Sequence, residues 1–313
     1  MQSLHYMEKW EKQSTNEDHF DNLRLVGFSP CGTLIAFGGE SGLLLVTACD
    51  GVLKAVVRHA SSSLVALEWC SPGLETVIGA FENGTIMSIS LSEEELVANV
   101  SVTEGLSLNK VAVTQDGSRL ASASSCNIWT WKQINEGEWK PCKFLSSPGN
   151  ARNNARDDPP VVITSVHWED ALCGRLLVSY QFHGVVYGIL QVLSNPSYSV
   201  VTSSQGYGMR IPRQSAALSC LKQSSGSLSP DRHYLAVVRP STTNHKKSAI
   251  DVLNITKPQQ NIVIETQRTL DGVVLFVHDG EAVLAEWDEG KVRLWQRVTG
   301  KRLQTLNHSG ECA

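Results

Sequence analysis

Leu23-Arg-Leu-Val-Gly-Phe-Ser-Pro-Cys-Gly-Thr-Leu-Ile-Ala-Phe-Gly-Gly-Glu-Ser-Gly-Leu-Leu-Leu-Val46 reads as an apolar run, a Pro/Gly turn, a second apolar run, a Gly turn and a third apolar run. Short apolar runs bounded by turn residues predict three strands joined by tight hairpins. The same grammar returns at Leu64-Val-Ala-Leu-Glu-Trp69, Ser71-Pro-Gly73, Thr76-Val-Ile-Gly-Ala-Phe81, Glu82-Asn-Gly84 and Thr85-Ile-Met-Ser-Ile89. It returns again from Leu108 through Gln115-Asp-Gly117 to Ile128-Trp-Thr-Trp131. The turn before each third strand calls for a positive φ, hence Gly or Asn. Gly42, Gly84 and Asn127 stand 42 and 43 residues apart; Gly184 follows after 57 and Gly290 after a further 106, which leaves room for one more unit. That unit runs from Leu218 through Ser229-Pro-Asp231 and Tyr234-Leu-Ala-Val-Val238 to Ile250-Asp-Val-Leu253. Six units therefore start near Leu23, Leu64, Leu108, Ile163, Leu218 and Val273.

Each unit needs a fourth strand, and shorter, more polar runs supply it: Leu53–Val57, Leu96–Val100, Lys143–Leu145, Tyr198–Val201, Ile262–Ile264 and Arg302–Leu306. Half-polar character suits an outer edge strand. Four strands every ~42 residues is the signature of a β-propeller blade. The fold expected is all-β, a propeller of four-stranded blades over residues 22–313 with essentially no helix. Six visible units leave two closures open, a six-bladed ring or a seven-bladed ring lacking one blade. Residues 1–21 offer a closing strand at Leu4-His-Tyr-Met7. In an incomplete ring, Phe28, Phe37, Leu284 and Leu294 on the end blades are expected to stand partly open to water, favouring self-association through those blades.

The last unit carries the most specific residues: Leu275-Phe-Val-His-Asp-Gly280, Ala285-Glu-Trp-Asp-Glu-Gly-Lys-Val-Arg-Leu-Trp295 and Thr299-Gly-Lys-Arg-Leu-Gln-Thr-Leu306. With Phe28-Ser-Pro-Cys-Gly32, this pattern resembles the WD40-repeat family over about Leu23 to Leu306. The family's Trp-Asp pair is replaced by Trp295-Gln296 and Trp131-Lys132, and of its Gly-His lead-in only His59 and His308 stand at comparable positions. The resemblance implies a rigid scaffold that binds other proteins through its rim.

Composition narrows the function further. Charged residues are 19% and apolar residues 42%, with a net charge of −4. No Lys/Arg block marks a nucleic-acid or anionic-membrane surface, and no run approaches the about 18 apolar residues of a membrane span. The charged start, Met1 to Trp10, lacks the apolar centre of a secretory signal, so an intracellular protein, cytoplasmic or nuclear, is expected. Eight cysteines are scattered without C-x-x-C spacing, so free thiols are expected rather than a disulfide framework or zinc site. Polar stretches at 148–160, 195–214, 223–227 and 241–247 read as insertions in loops. No nucleophile, phosphate-binding or zinc-protease motif is present, and no catalytic, cofactor-binding or metal-binding residue is assigned.

The expected function is accordingly a non-enzymatic protein-interaction platform. Its candidate binding rim is formed by the loops leading into the blades and by Glu40, His59, Glu82, His183 and Asp288, because recognition is placed on loops held by rigid scaffolds. Two alternatives stand beside it. One is a metal-dependent hydrolase propeller with ligands converging from the innermost strands, against which those strands read as mostly apolar. The other is a fragment of a larger WD40 protein.

Overall fold

The computed structural model describes residues 23–59, 62–70, 75–91, 96–102, 107–135, 138–145, 162–170, 175–180, 184–189, 226–239, 248–257, 260–266, 270, 273–288 and 291–307. The first sheet holds β1 (Leu23–Phe28), β2 (Leu34–Gly39), β3 (Leu43–Ala48) and β4 (Leu53–Arg58). The second holds β5 (Leu64–Trp69), β6 (Thr76–Phe81), β7 (Thr85–Leu91) and β8 (Leu96–Val102), and the third β9 (Lys110–Val113), β10 (Arg119–Ser124), β11 (Asn127–Asn135) and β12 (Glu138–Leu145). The fourth holds β13 (Ile163–Asp170), β14 (Arg175–Tyr180) and β15 (Gly184–Ile189). The fifth holds β16 (Gly226–Leu228), β17 (Tyr234–Arg239), β18 (Ala249–Asn254) and β19 (Ile262–Glu265), and the sixth β20 (Val274–Val277), β21 (Ala282–Asp288), β22 (Lys291–Gln296) and β23 (Arg302–Asn307). Within every sheet the strands lie in chain order and each adjacent pair is antiparallel. No α-helix occurs among the described residues.

Chain-order sheets follow from the turns. Ser29-Pro30-Cys31-Gly32 reverses the chain with Gly32 N donating to Ser29 O at 2.8 Å and Ser29 N to Leu34 O at 2.9 Å, so β2 folds back antiparallel beside β1. The first strands then stack side by side, β1 on β5, β5 on β9, β9 on β13, β13 on β16 and β16 on β20. Sheets arrayed with their first strands in succession form an all-β propeller whose inner wall is that series.

Apolar faces fill the spaces between blades. Leu34, Ala36, Leu44 and Val46 of the first blade meet Leu64, Trp69, Val77 and Phe81 of the second. Ile78, Ile86 and Ala66 meet Val111, Val113, Leu120 and Trp131 of the third. Ala112, Ala121 and Ile128 meet Val166, Trp168, Leu176 and Tyr180 of the fourth, and Ile250, Val252 and Ile264 of the fifth meet Val274, Val283 and Trp295 of the sixth. Period-2 alternation in each strand produces this division, because one set of side chains faces each neighbour. Between the fourth and fifth blades the contact is polar and close: a Cβ on Gly226 would stand 2.5 Å from Ser165 Oγ and 3.1 Å from Ser165 Cβ. Gly226→Ala is expected to lower stability by about 1–3 kcal/mol, read as a shifted urea midpoint with unchanged slope.

Several expectations need correction. Five sheets have four strands, whereas the fourth has three among the described residues; its expected outer strand at Tyr198–Val201 lies outside them. The fifth unit begins its described part at Gly226, so the stretch 223–227 read as a polar insertion overlaps a strand, because backbone pairing of Gly226 with Val237 and Leu228 with Leu235 forms β16 although its first two residues are not apolar. Gly42 and Gly84 have the expected positive φ of 74° and 90°. In the third unit Ser125 takes it, at 51°, since Ser124 pairs with Asn127 and the turn closes one step earlier. On the end blades Phe28 is 64% exposed and Phe37 and Leu284 are half-buried, but Leu294 is buried, although it pairs across the sheet with Leu284.

Candidate functional site

Three of the five expected rim residues come together where the first blade hands over to the second. Glu40 and Ser41 occupy the β2–β3 turn, which Gly42 N closes onto Gly39 O at 3.2 Å. His59 follows β4, and its N–H donates to Gly42 O at 3.0 Å. Glu82 starts the β6–β7 turn, its N–H donating to Ser63 O at 2.9 Å, and Asn83 N donates to Ser62 Oγ at 2.9 Å. Two turns from successive blades are thus tied to one connecting segment. The His59 ring packs on Phe81 with centroids 4.8 Å apart and receives a long hydrogen bond, 3.4 Å, from Asn83 Nδ2 to Nε2.

The patch has a definite charge pattern. Glu82 and Asn83 are exposed; Glu40 is half-buried and forms an ion pair with Arg24 of β1. Asp288 is the last residue of β21, opposite Lys291 in the hairpin. His183 lies outside the described residues. His278 and Asp279 both take positive φ, 52° each, in the β20–β21 turn, a conformation that Asp tolerates in turns.

The inner strands carry chemistry that the reading of those strands as mostly apolar overlooked. Glu68 on β5, Lys110 on β9 and His167 on β13 sit on three successive first strands. In the sequence each is a polar residue in a run of apolar ones, Leu64-Val-Ala-Leu-Glu68, Lys110-Val-Ala-Val113 and Val166-His167-Trp168, and that interruption was the available signal. The protein crowding Glu68 pushes its carboxyl up to about 7, although its outer surface meets water. His167 Nε2 lies 3.1 Å from Gly226 O, so the ring must donate from Nε2. Burial depresses His167 to about 4; the Gly226 carbonyl works against that shift and the Lys110 ammonium adds to it. No group of three or more His, Cys, Asp or Glu that could hold a metal ion occurs among the described residues.

His167 makes stability depend on pH. Unfolded, it titrates near its ordinary 6.5; folded, near 4. Between these values the unfolded chain binds more protons, so the contribution is complete above 6.5 and is lost as pH falls towards 4. His167→Gln keeps a donor for Gly226 O without titrating. The wild type is expected to lose more stability than this variant between pH 7 and pH 4.5, measured by urea unfolding; parallel losses would disprove the assignment.

The arrangement defines the class of molecule as a β-propeller. No protein-family model matches the chain, and no curated protein matches it in sequence. Among solved structures, the β-propeller domain of Cps50 (Swd1) of Myceliophteria thermophila is similar with a TM-score of 0.67, covering 94% of this chain and 89% of that one at 13% identity. Likeness at that identity is likeness of fold. No helix among the described residues is long and apolar enough to cross a membrane.

Proposed function

We propose that this chain is a non-enzymatic, WD40-like interaction platform whose rim binds other proteins inside the cell, in cytoplasm or nucleus. The observation that carries the reading is the braced patch of Glu40, His59, Glu82 and Asn83. Two turns and a linker are held by main-chain bonds, so their outward side chains are presented in a fixed arrangement, and a rigid loop loses little entropy on binding. His183 and Asp288 are assigned to the same rim by their places in the repeat. The partner surface expected there is basic or rich in hydrogen-bond donors, to match Glu82 and Asn83. The test compares proteins retained from lysate by the wild type and by Glu82→Lys/Asn83→Lys, quantified at low and moderate salt. Salt-sensitive partners lost only from the variant support the reading; identical sets from both argue against it.

Self-association is the second reading, favoured by one observation. Val26 and Phe28 on β1 are each 64% exposed, and Val273, beside β20, and Leu275 on it are 50% and 45% exposed. These belong to the first and last units, where a ring open by one blade would present apolar edges to a second copy. Light scattering of the chain with and without residues 1–21 tests this. A concentration-dependent dimer supports the open ring; a monomer that loses solubility only on truncation indicates closure by the N-terminal segment.

A further inference from the structure

The β1–β2 turn differs from its counterparts in one decisive residue. In the third blade the turn is Thr114-Gln115-Asp116-Gly117-Ser118, and Asp116 accepts from Thr114 Oγ1 at 2.6 Å, Ser118 Oγ at 2.7 Å and Ser118 N at 3.0 Å. In the fifth it is Ser229-Pro230-Asp231-Arg232-His233, where Asp231 accepts from Ser229 Oγ at 2.5 Å and His233 N at 3.0 Å. Both turns are built around an anion. The first blade reads Ser29-Pro30-Cys31-Gly32-Thr33, with a thiol at the carboxylate's place.

The surrounding donors are retained. Leu34 N donates to Ser29 Oγ at 3.0 Å, as Arg119 N does to Thr114 Oγ1 at 3.0 Å and Tyr234 N to Ser229 Oγ at 2.9 Å. An oxygen that accepts from the main chain in this way leaves its proton for the central side chain, which for Ser29 is Cys31 Sγ at 3.3 Å. Thr33 Oγ1 stands 2.8 Å from the same sulfur. Cys31 is exposed. These hydroxyls hold its thiol below the ordinary range, Ser29 contributing most. A second thiol lies against the turn: Cys49 N donates to Thr33 O at 2.9 Å and Cys49 Sγ to Gly32 O at 2.9 Å.

We propose that Cys31 and Cys49 form a peroxide-responsive dithiol, with Cys31 the attacking thiolate and Cys49 the resolving thiol. The Cys31 thiolate attacks hydrogen peroxide; the new S–O bond forms as the O–O bond breaks, leaving a sulfenic acid and a hydroxide that takes up a proton. Cys49 Sγ then attacks the Cys31 sulfur, the S–O bond breaks, and the Cys49 proton leaves with the hydroxyl as water. One peroxide is reduced to two waters while two thiols are oxidised to one disulfide. The bond would tie the β1–β2 turn to the end of β3.

Both cysteines fall in one tryptic peptide, residues 25–54, which makes the outcome readable by mass. Treating the full chain with stoichiometric peroxide is expected to remove two hydrogens from that peptide, reversibly with dithiothreitol. Cys49→Ser is expected to accumulate a sulfenate at Cys31 that dimedone traps. Iodoacetamide at pH 7 is expected to alkylate Cys31 about tenfold faster than the exposed Cys142. Cys31→Asp restores the residue of the third and fifth blades, so it should fold normally, and its peptide should show no loss of hydrogens. Equal alkylation of Cys31 and Cys142, or a wild-type peptide that gains oxygen without losing hydrogens, would overturn the proposal.

Discussion

Gly42→Ala should cost about 3–5 kcal/mol of stability, whereas Gly32→Ala costs about 1–2 kcal/mol. Both glycines have nearly the same backbone, with φ of 74° and 72°, so the left-handed penalty on an L-residue is common to both. They differ in what a Cβ would meet. At Gly32 nothing lies within 4 Å, whereas at Gly42 it would run into His59 O and stand 2.6 Å from Ser62 O. These are main-chain atoms of the segment that joins the first two blades, and they cannot turn aside as a flexible side chain would. The excess at Gly42 is therefore the cost of displacing the linker. Urea midpoints of the two variants measure it, and equal destabilisation would show that the linker gives way without cost. The same displacement would break the rim at His59, so Gly42→Ala is expected to weaken partner binding beyond its effect on the folded fraction.

The second large effect belongs to Trp168. Its ring is buried between the third and fourth blades, and its Nε1–H donates to Ala112 O at 3.1 Å on the preceding first strand. Trp168→Ala removes a large buried ring and should cost about 3–5 kcal/mol. Trp168→Phe separates the two components, since most of the packing remains while the hydrogen bond goes, at about 1–2 kcal/mol. Trp139 is the comparison: it is buried, but its Nε1 has no partner among the described residues. Trp139→Phe should be close to neutral, because it relieves an unpaired donor while giving up some contact. A Trp168→Phe variant as stable as the wild type would mean that the inter-blade bond contributes nothing. Trp69 repeats the arrangement one junction earlier, donating to Gly27 O at 2.9 Å. A tryptophan at or near the end of a first strand thus anchors it to the strand before.

What was legible in the sequence was local. The strands of blades one and two were readable to within a residue or two, because each is defined by its own apolar run and by a turn a few residues away. Antiparallel neighbours in chain order need no information beyond those turns. The turns carrying Glu40 and Glu82 were likewise placed from their Gly residues alone.

Tertiary structure decided whatever depends on partners far apart in the chain. Gly226–Leu228 is a strand because β17 offers its edge, and its first residue is Gly where Ser165 of the previous blade leaves no room for a side chain, neither of which is visible in the local sequence. Glu40, His59 and Glu82 are spread over more than forty residues, and only the bonds of His59 to Gly42 and Glu82 to Ser63 make them one patch. Glu68, Lys110 and His167 became a set only when their strands stacked as an inner wall, and His167 was depressed only by what packs around it. The sequence by itself determined the repeat, because hairpin pairing is a short-range matter of alternation and turn chemistry. The junctions between blades were settled by the fold, because they join residues roughly forty to sixty positions apart, where geometry rather than local pattern selects the contact.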